Sequence, residues 1–232
     1  VIVPKLKPNG IVVFGGINMD LVTLTPNFPK PGETVIGSKF LTLPGGKGAN
    51  QAIGCARLGS STYFVGRVGS DIFGSQLVES FKSNGVDTSK VMIDPHNSSG
   101  IAVINVDNSS QNTIIQISGA NMSCDTTETR SVGELFQNTC VLMLTLEIPP
   151  EAILPAAKQF ATQGKQVILD PAPVTPFPTE LYRYCNYITP NETEATKLVG
   201  FPVTNISSAQ KATDVLLERG VPVSYTHLRA HE

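Results

Sequence analysis

The chain has 232 residues, 41% of them hydrophobic and 16% charged, with a formal net charge of -2 at pH 7. That length supports one substantial core, or a core with a small appendage. A chain so near neutral offers no basic face for nucleic acid and no polybasic stretch for an anionic membrane, so a small-molecule substrate is expected over a polymer.

In chain order, the opening VIVPKLKPNG lacks the long apolar core of a signal peptide, and IVVFGG (11 to 16) then reads as a buried strand. Asp20 to Leu43 alternates polar and apolar residues, and a helical stretch follows that closes at Gly59. YFVGRVG (63 to 69) is a second buried strand, with a helix closing at Gly85. GIAVINVDNSSQNTIIQIS (100 to 118) alternates again and reads as a hairpin turning at Asp107 to Gln111. VLMLTLE (141 to 147), QVILD (166 to 170) and NYITP (186 to 190) are further buried strands, with helices closing at Gly164, Gly200 and Gly220. The Pro-rich PAPVTPFP (171 to 178) follows its strand directly and fits a rigid loop at the sheet's carboxyl edge.

Short apolar runs alternating with helices specify an α/β fold: a doubly wound, mostly parallel sheet with helices on both faces. The two alternating regions, about 20 to 43 and 100 to 118, would form a small β-sheet lid, or else an antiparallel edge on the main sheet. Cys55, Cys124, Cys140 and Cys185 are scattered without C-x-x-C spacing and read as buried thiols in a reducing compartment, the cytoplasm or also the nucleus. No apolar run reaches membrane-spanning length. Sequon triplets at Asn97, Asn108, Asn121, Asn191 and Asn205 read as chance in a chain rich in Asn, Ser and Thr.

Ligands of an open α/β sheet bind beyond the carboxyl ends of its strands. Asn18 and Asp20 follow the first strand; Gly45, Gly46, Lys47 and Asn50 follow the first alternating region; Glu147 follows the third buried strand, and Asn191 and Glu194 follow the last. These groups hydrogen-bond a polyol well, and none is a nucleophile with an adjacent base. The glycine-flanked Lys47 in LTLPGGKGANQAIG is not a nucleotide P-loop, because Leu41 and Gly48 stand where glycine and a hydroxyl belong. Gln51 likewise breaks the dinucleotide fingerprint. Asp20 could instead be a turn residue, Gly45 and Gly46 simple turn glycines, and Asn191 with Glu194 a helix capping box.

The segments GGINMD, FPKPGETV, GGKGANQA, VGSDIFG, ISGAN, LTLEIP, LDPAP and ITPNETEA occur in this order over residues 11 to about 222. In them the chain resembles the ribokinase-like carbohydrate kinase family. The resemblance implies ATP-dependent phosphorylation of D-ribose at its 5-hydroxyl, with Mg2+ dependence, activation by a monovalent cation such as K+, and a homodimer formed through the lids. It also implies that Asn18, Asp20, Gly46, Lys47, Asn50 and Glu147 bind ribose, so that Lys47 serves the sugar. Asn191 would lie near the ATP phosphates and, with Glu194, hold Mg2+ through its waters. Thr145 and Asp170 stand where family members often carry glutamine and asparagine.

The family's catalytic base is the aspartate of a GAGD segment, and this sequence has no GAGD, so no catalytic residue is assigned. After Gly220 the α/β pattern calls for another apolar strand. The closing VSYTHLRAHE resembles instead the translation of a sequencing-library adapter, so the expectation is a kinase domain over 1 to 222, incomplete at its carboxyl end, with non-native residues at 223 to 232. Another sugar or nucleoside kinase of the family, or a non-catalytic sugar-binding remnant, are the alternatives.

Overall fold

The computed structural model describes residues 9–227. In chain order its elements are β1 (Gly10–Phe14), β2 (Asn18–Leu24), β3 (Lys39–Gly45), α1 (Lys47–Arg57), β4 (Thr62–Gly69), α2 (Ile72–Ser83), β5 (Val86–Asp94) and β6 (Gly100–Val106). There follow β7 (Asn112–Ile117), α3 (Thr126–Glu134), β8 (Thr139–Thr145), α4 (Pro150–Thr162), β9 (Gln166–Asp170), β10 (Tyr187–Ile188), α5 (Glu192–Val199), α6 (Ile206–Glu218) and β11 (Val223–Ser224). Two short 3-10 turns lie at Gly119–Ser123 and Thr179–Tyr184.

The main sheet runs β11-β10-β9-β8-β1-β4-β5, and every pairing in it is parallel. Successive side chains of a strand point to opposite faces, and here both faces are buried. Val12, Phe14, Leu142 and Leu144 pack with Val132 of α3 and with Ile153 and Phe160 of α4. Val13 and Phe64 pack on the other face with Ala52 of α1 and with Leu77 and Phe81 of α2. That double burial explains why these strands are continuous apolar runs rather than alternating ones. Helices cover both faces, as the doubly wound pattern requires.

The alternating regions form a separate four-stranded sheet, ordered β3-β2-β6-β7. Its two middle strands, β2 and β6, are parallel, and each edge strand is antiparallel to its neighbour. The hairpin turns where alternation places it: the Asp107 N–H donates to the Gln111 carbonyl at 3.0 Å, and the Ser110 N–H donates to the Asp107 carbonyl at 3.0 Å. The reading as an antiparallel edge of the main sheet is therefore overturned.

Five helices close at the expected glycines, whose φ values run from +68° to +107°. Two elements carry no such signal. α3 ends at Leu135 in right-handed backbone, and β5 is a sheet edge whose DTSK stretch is polar. NYITP shortens to the two-residue β10, and the strand sought after Gly220 is the two-residue β11, pairing Val223 with Tyr187 and Ser224 with Ile188. Residues 228 to 232 of the tail lie outside the described residues. All four thiols are free, but only Cys124 and Cys185 are buried; Cys55 and Cys140 are half-buried. Among the described residues, no helix is long and apolar enough to cross a membrane.

The geometry that matters next is a crossover. β1 leaves the main sheet at Phe14, and the small sheet begins at Asn18. The carboxyl edge of the main sheet and the root of the small sheet thus share residues 15 to 17.

Candidate functional site

Glu147 lies just past β8 and is only 3% exposed. One carboxylate oxygen, Oε2, accepts from the backbone N–H groups of Lys47 at 2.8 Å and Gly48 at 3.3 Å. The other, Oε1, accepts from Asn18 Nδ2 at 3.2 Å and lies 3.9 Å from Lys47 Nζ. The arrangement follows from the start of α1. Its N-cap is Gly46, which has φ +94° and no side chain to satisfy the first N–H groups of the helix. Glu147, 100 residues away in sequence, supplies that acceptor, and the positive end of the helix favours its charge. Burial raises the Glu147 pKa, while Lys47, the two backbone N–H groups and Asn18 oppose the rise.

Asn18 and Asp20 are two apart on β2 and share one face of the small sheet. Asp20 is held within the β2 ladder, paired with Leu43, and the strand continues to Leu24, so it is not a turn residue. Its carboxylate lies over Gly45, where a Cβ would stand 2.4 Å from Oδ2. Burial raises the Asp20 pKa and Lys47 opposes it, so the Lys47 ammonium interacts with both carboxylates. The structure therefore gathers Asn18, Asp20, Gly46, Lys47 and Glu147. Asn50 sits exposed on the same helix, one turn beyond Gly46.

Asn191 and Glu194 form a reciprocal capping box at the start of α5. The Glu194 N–H donates to Asn191 Oδ1 at 2.9 Å, and the Asn191 N–H donates to Glu194 Oε2 at 2.8 Å. The capping reading is correct, and it leaves one Glu194 oxygen without a role in the cap. Asp170, at the end of β9, feels charges from both groups. Burial, then Glu194, push its pKa from 3.8 up to about 7, against Lys47 and a hydrogen bond from Gln51; Glu147 adds to the rise. Gln51 Nε2 donates to Asp170 Oδ2 at 2.7 Å, while Gln51 Oε1 is buried without a hydrogen-bond partner among the described residues.

A neutral partner at position 170 would suit this amide. The raised pKa of Asp170 gives stability that is fully present below 3.8 and is lost as pH rises to about 7. Asp170→Asn, which carries no charge and can donate to Gln51 Oε1, is expected to melt higher than the parent chain. The gain should widen from about pH 4 to pH 7 and then level off. Thermal melts at four pH values check this; a constant difference would show that Asp170 does not titrate there.

The pfkB family carbohydrate kinase profile matches residues 9–226. The chain belongs to the pfkB family of carbohydrate kinases. It is 39% identical over 212 residues to the ribokinase of Haemophilus influenzae, covering 91% of this chain and 69% of that protein. It is likewise 39% identical over 199 residues to the ribokinase of Bacillus subtilis, covering 86% of this chain and 67% of that protein. The structure of Arabidopsis thaliana ribokinase complexed with ribose and ATP superposes with a TM-score of 0.85 at 33% identity, over 95% of this chain and 72% of that one. The chain thus spans about two thirds of the length of these proteins.

Three residues of this candidate site carry no role in a reading by strand ends. Gln51 is four residues after Lys47 and so shares its helix face, a spacing that could have linked it to the site. Thr145 Oγ1 accepts from the Gly16 N–H at 3.3 Å, steadying the crossover. Asn121, read from sequence as a chance sequon and as the last residue of ISGAN but given no role, is fully buried against the same crossover. Its signal lay in the ISGAN segment, and its side chain spends all its hydrogen bonds on Ile17 and Asn18 rather than on a local cap.

Proposed function

We propose that this chain binds D-ribose between the small sheet, acting as a lid, and the carboxyl edge of the main sheet, as the sugar-binding part of an ATP-dependent ribose 5-kinase. The observation that carries this is the buried Glu147 held by Asn18 and by the first turn of α1, with Asp20 and Lys47 beside it. Carboxylate acceptors and amide and ammonium donors alternate there, which suits vicinal hydroxyls; no nucleophile and base pair is present for acyl or thiol chemistry. Asn18, Asp20, Gly46, Lys47, Asn50 and Glu147 are the ribose-facing groups, and Lys47 serves the sugar. The ribokinase named relatives and the ribose-bound Arabidopsis structure support the choice of substrate.

ATP supplies the phosphoryl group, with Asn191 on the nucleotide side at the α5 N-terminus. Direct metal ligation does not fit the residues: no group of three or more His, Cys, Asp and Glu gathers to hold an ion among the described residues. A hydrated Mg2+ does fit, because Glu194 keeps one oxygen outside its cap and the neighbouring Asp170 adds negative character. K+ activation belongs to the same reading, with no residue of this chain assigned to it. Because the sequence contains no GAGD aspartate, we expect binding without turnover from these 232 residues. The lid strands leave Leu43 and Ile114 exposed on the face that carries Asp20, and Phe40, Ile115 and Ile117 exposed on the opposite face, and the lid pairs with a second copy through the Leu43 and Ile114 face.

Calorimetric titration with D-ribose, fructose and adenosine tests the reading. Ribose is expected to bind tightest, with no ADP released when ATP and Mg2+ are added. Equal or tighter binding of fructose or adenosine would reassign the substrate, and ribose-dependent ADP release would overturn the expected inactivity. Sedimentation of the same samples should give a dimer that Ile114→Lys converts to monomer; a parent chain that sediments as a monomer would remove the lid pairing.

A further inference from the structure

We propose that Asn121 is a positioning residue for the sugar site, fixing the orientation of the Asn18 amide and with it the hydrogen-bonding face that Asn18 and Glu147 offer a ligand. Asn121 lies on the 3-10 turn after β7 and is fully buried. Its Oδ1 accepts from the Ile17 N–H at 3.0 Å, and its Nδ2 donates to the Ile17 carbonyl at 3.0 Å and to Asn18 Oδ1 at 2.9 Å. A primary amide has two N–H donors, and both are used here. The backbone of Ile17 therefore decides which way Asn121 points, since a flipped amide would set donor against donor and acceptor against acceptor.

That choice passes outward. With Nδ2 of Asn121 fixed, Asn18 must turn its own oxygen inward to meet it. Asn18 Nδ2 is then directed at Glu147 Oε1, 3.2 Å away. One N–H of Asn18 is taken by Glu147 and the other is left for a ligand, so Asn18 serves as a donor to a hydroxyl oxygen. The reverse orientation would place the Asn18 oxygen against a buried carboxylate, which is strongly unfavourable.

The fold keeps space for this relay. Gly100, the first residue of β6, pairs with Asn18, and a Cβ on it would lie 2.1 Å from Asn18 Oδ1 and 2.3 Å from Asn121 Nδ2. Three segments joining the two sheets therefore converge on these amides: the crossover after β1, the start of β6 and the turn after β7. Asn121 thus ties the root of the lid to Asn18, whose amide hydrogen-bonds Glu147.

This inference rests on the ribose reading for its ligand, and a double-mutant cycle tests it. Asn121→Ala is expected to weaken D-ribose binding by about tenfold in the parent chain and to add no loss in an Asn18→Ala background. The same factor in both backgrounds would show a merely structural role and overturn the proposal. If Asn121→Ala does not fold, Asn121→Asp takes its place, because it keeps the acceptor for the Ile17 N–H and loses the donors to the Ile17 carbonyl and to Asn18.

A second readout needs no sugar. In 15N spectra the Asn18 side-chain amide, identified by its absence from Asn18→Ala, should shift and exchange faster with solvent in Asn121→Asp; an unmoved signal would sink the proposal. If the parent chain binds no ribose, the substrate reading fails by itself, and the spectra still decide the role of Asn121.

Discussion

Glu147→Gln is expected to lower D-ribose affinity by about a hundredfold at pH 8, some 3 kcal/mol, and to lower the melting temperature as well. The carboxylate receives three N–H donors, from Asn18, Lys47 and Gly48, and lies near an ammonium. A glutamine has one oxygen. If that oxygen keeps the α1 N–H groups, its own amide hydrogens meet the Asn18 amide and Lys47. If it turns the other way, the first turn of α1 loses its acceptor and faces a second donor. Both arrangements leave buried donors unpaired, and hydrogen bonds to a charged group are worth more than neutral ones.

The effect should depend on pH with a definite sign. Burial raises the Glu147 pKa, so on acidification the parent carboxylate takes up a proton earlier than an exposed glutamate would. Its affinity should therefore fall toward that of Glu147→Gln as pH falls, and the hundredfold gap should narrow. Titration calorimetry between pH 8 and pH 5 reads both arms. Equal ribose affinity for the two proteins at pH 8 would remove Glu147 from the site.

What the sequence discloses of this site, and what it hides, follows from where each interaction originates. The central strands are legible because burial on both faces leaves unbroken apolar runs, such as Val12 to Phe14 and Leu142 to Leu144. β5 is hidden because an edge strand has one neighbour and can carry Asp87, Thr88, Ser89 and Lys90 without cost to a core. The lid is legible as alternation, but its order is not. The parallel pairing of β2 with β6 and the antiparallel pairings on either side share a period of two.

Asn191 and Glu194 are three residues apart, so their reciprocal bonds can be read locally. Glu147 could be placed beyond its strand, but its main partners are backbone N–H groups of α1, which have no letter in the sequence. Asn121 and Gln51 act across 104 and 119 residues, and only the folded chain brings their partners within reach.

Gly48→Ala should lower stability by about 2–4 kcal/mol, a fall of roughly 5–15 °C in melting temperature. A Cβ at Gly48 would stand 2.8 Å from the Gly16 carbonyl oxygen and 2.9 and 3.0 Å from the carbonyl carbon and Cα of Gly15. These are backbone atoms of the β1 to β2 crossover, with no flexible side chain to yield. Nor can the crossover withdraw. Thr145 and Asn121 hold it at Gly16 and Ile17, and the Gly16 carbonyl accepts from the Ala49 N–H at 3.1 Å.

Alanine is a better helix former than glycine by about 1 kcal/mol, so the steric penalty must first overcome that gain. Gly54, on the same helix, separates the two contributions, because a Cβ there meets nothing within 4 Å. Gly54→Ala should raise the melting temperature by a few degrees, while Gly48→Ala lowers it and weakens ribose binding by moving the Lys47 and Gly48 N–H groups off Glu147. Paired thermal melts decide the matter. If both substitutions shift the melting temperature in the same direction, close backbone contact is not what fixes α1 against the crossover. Opposite signs on one helix would instead show that the glycine at 48 is required by the contact that seats Glu147.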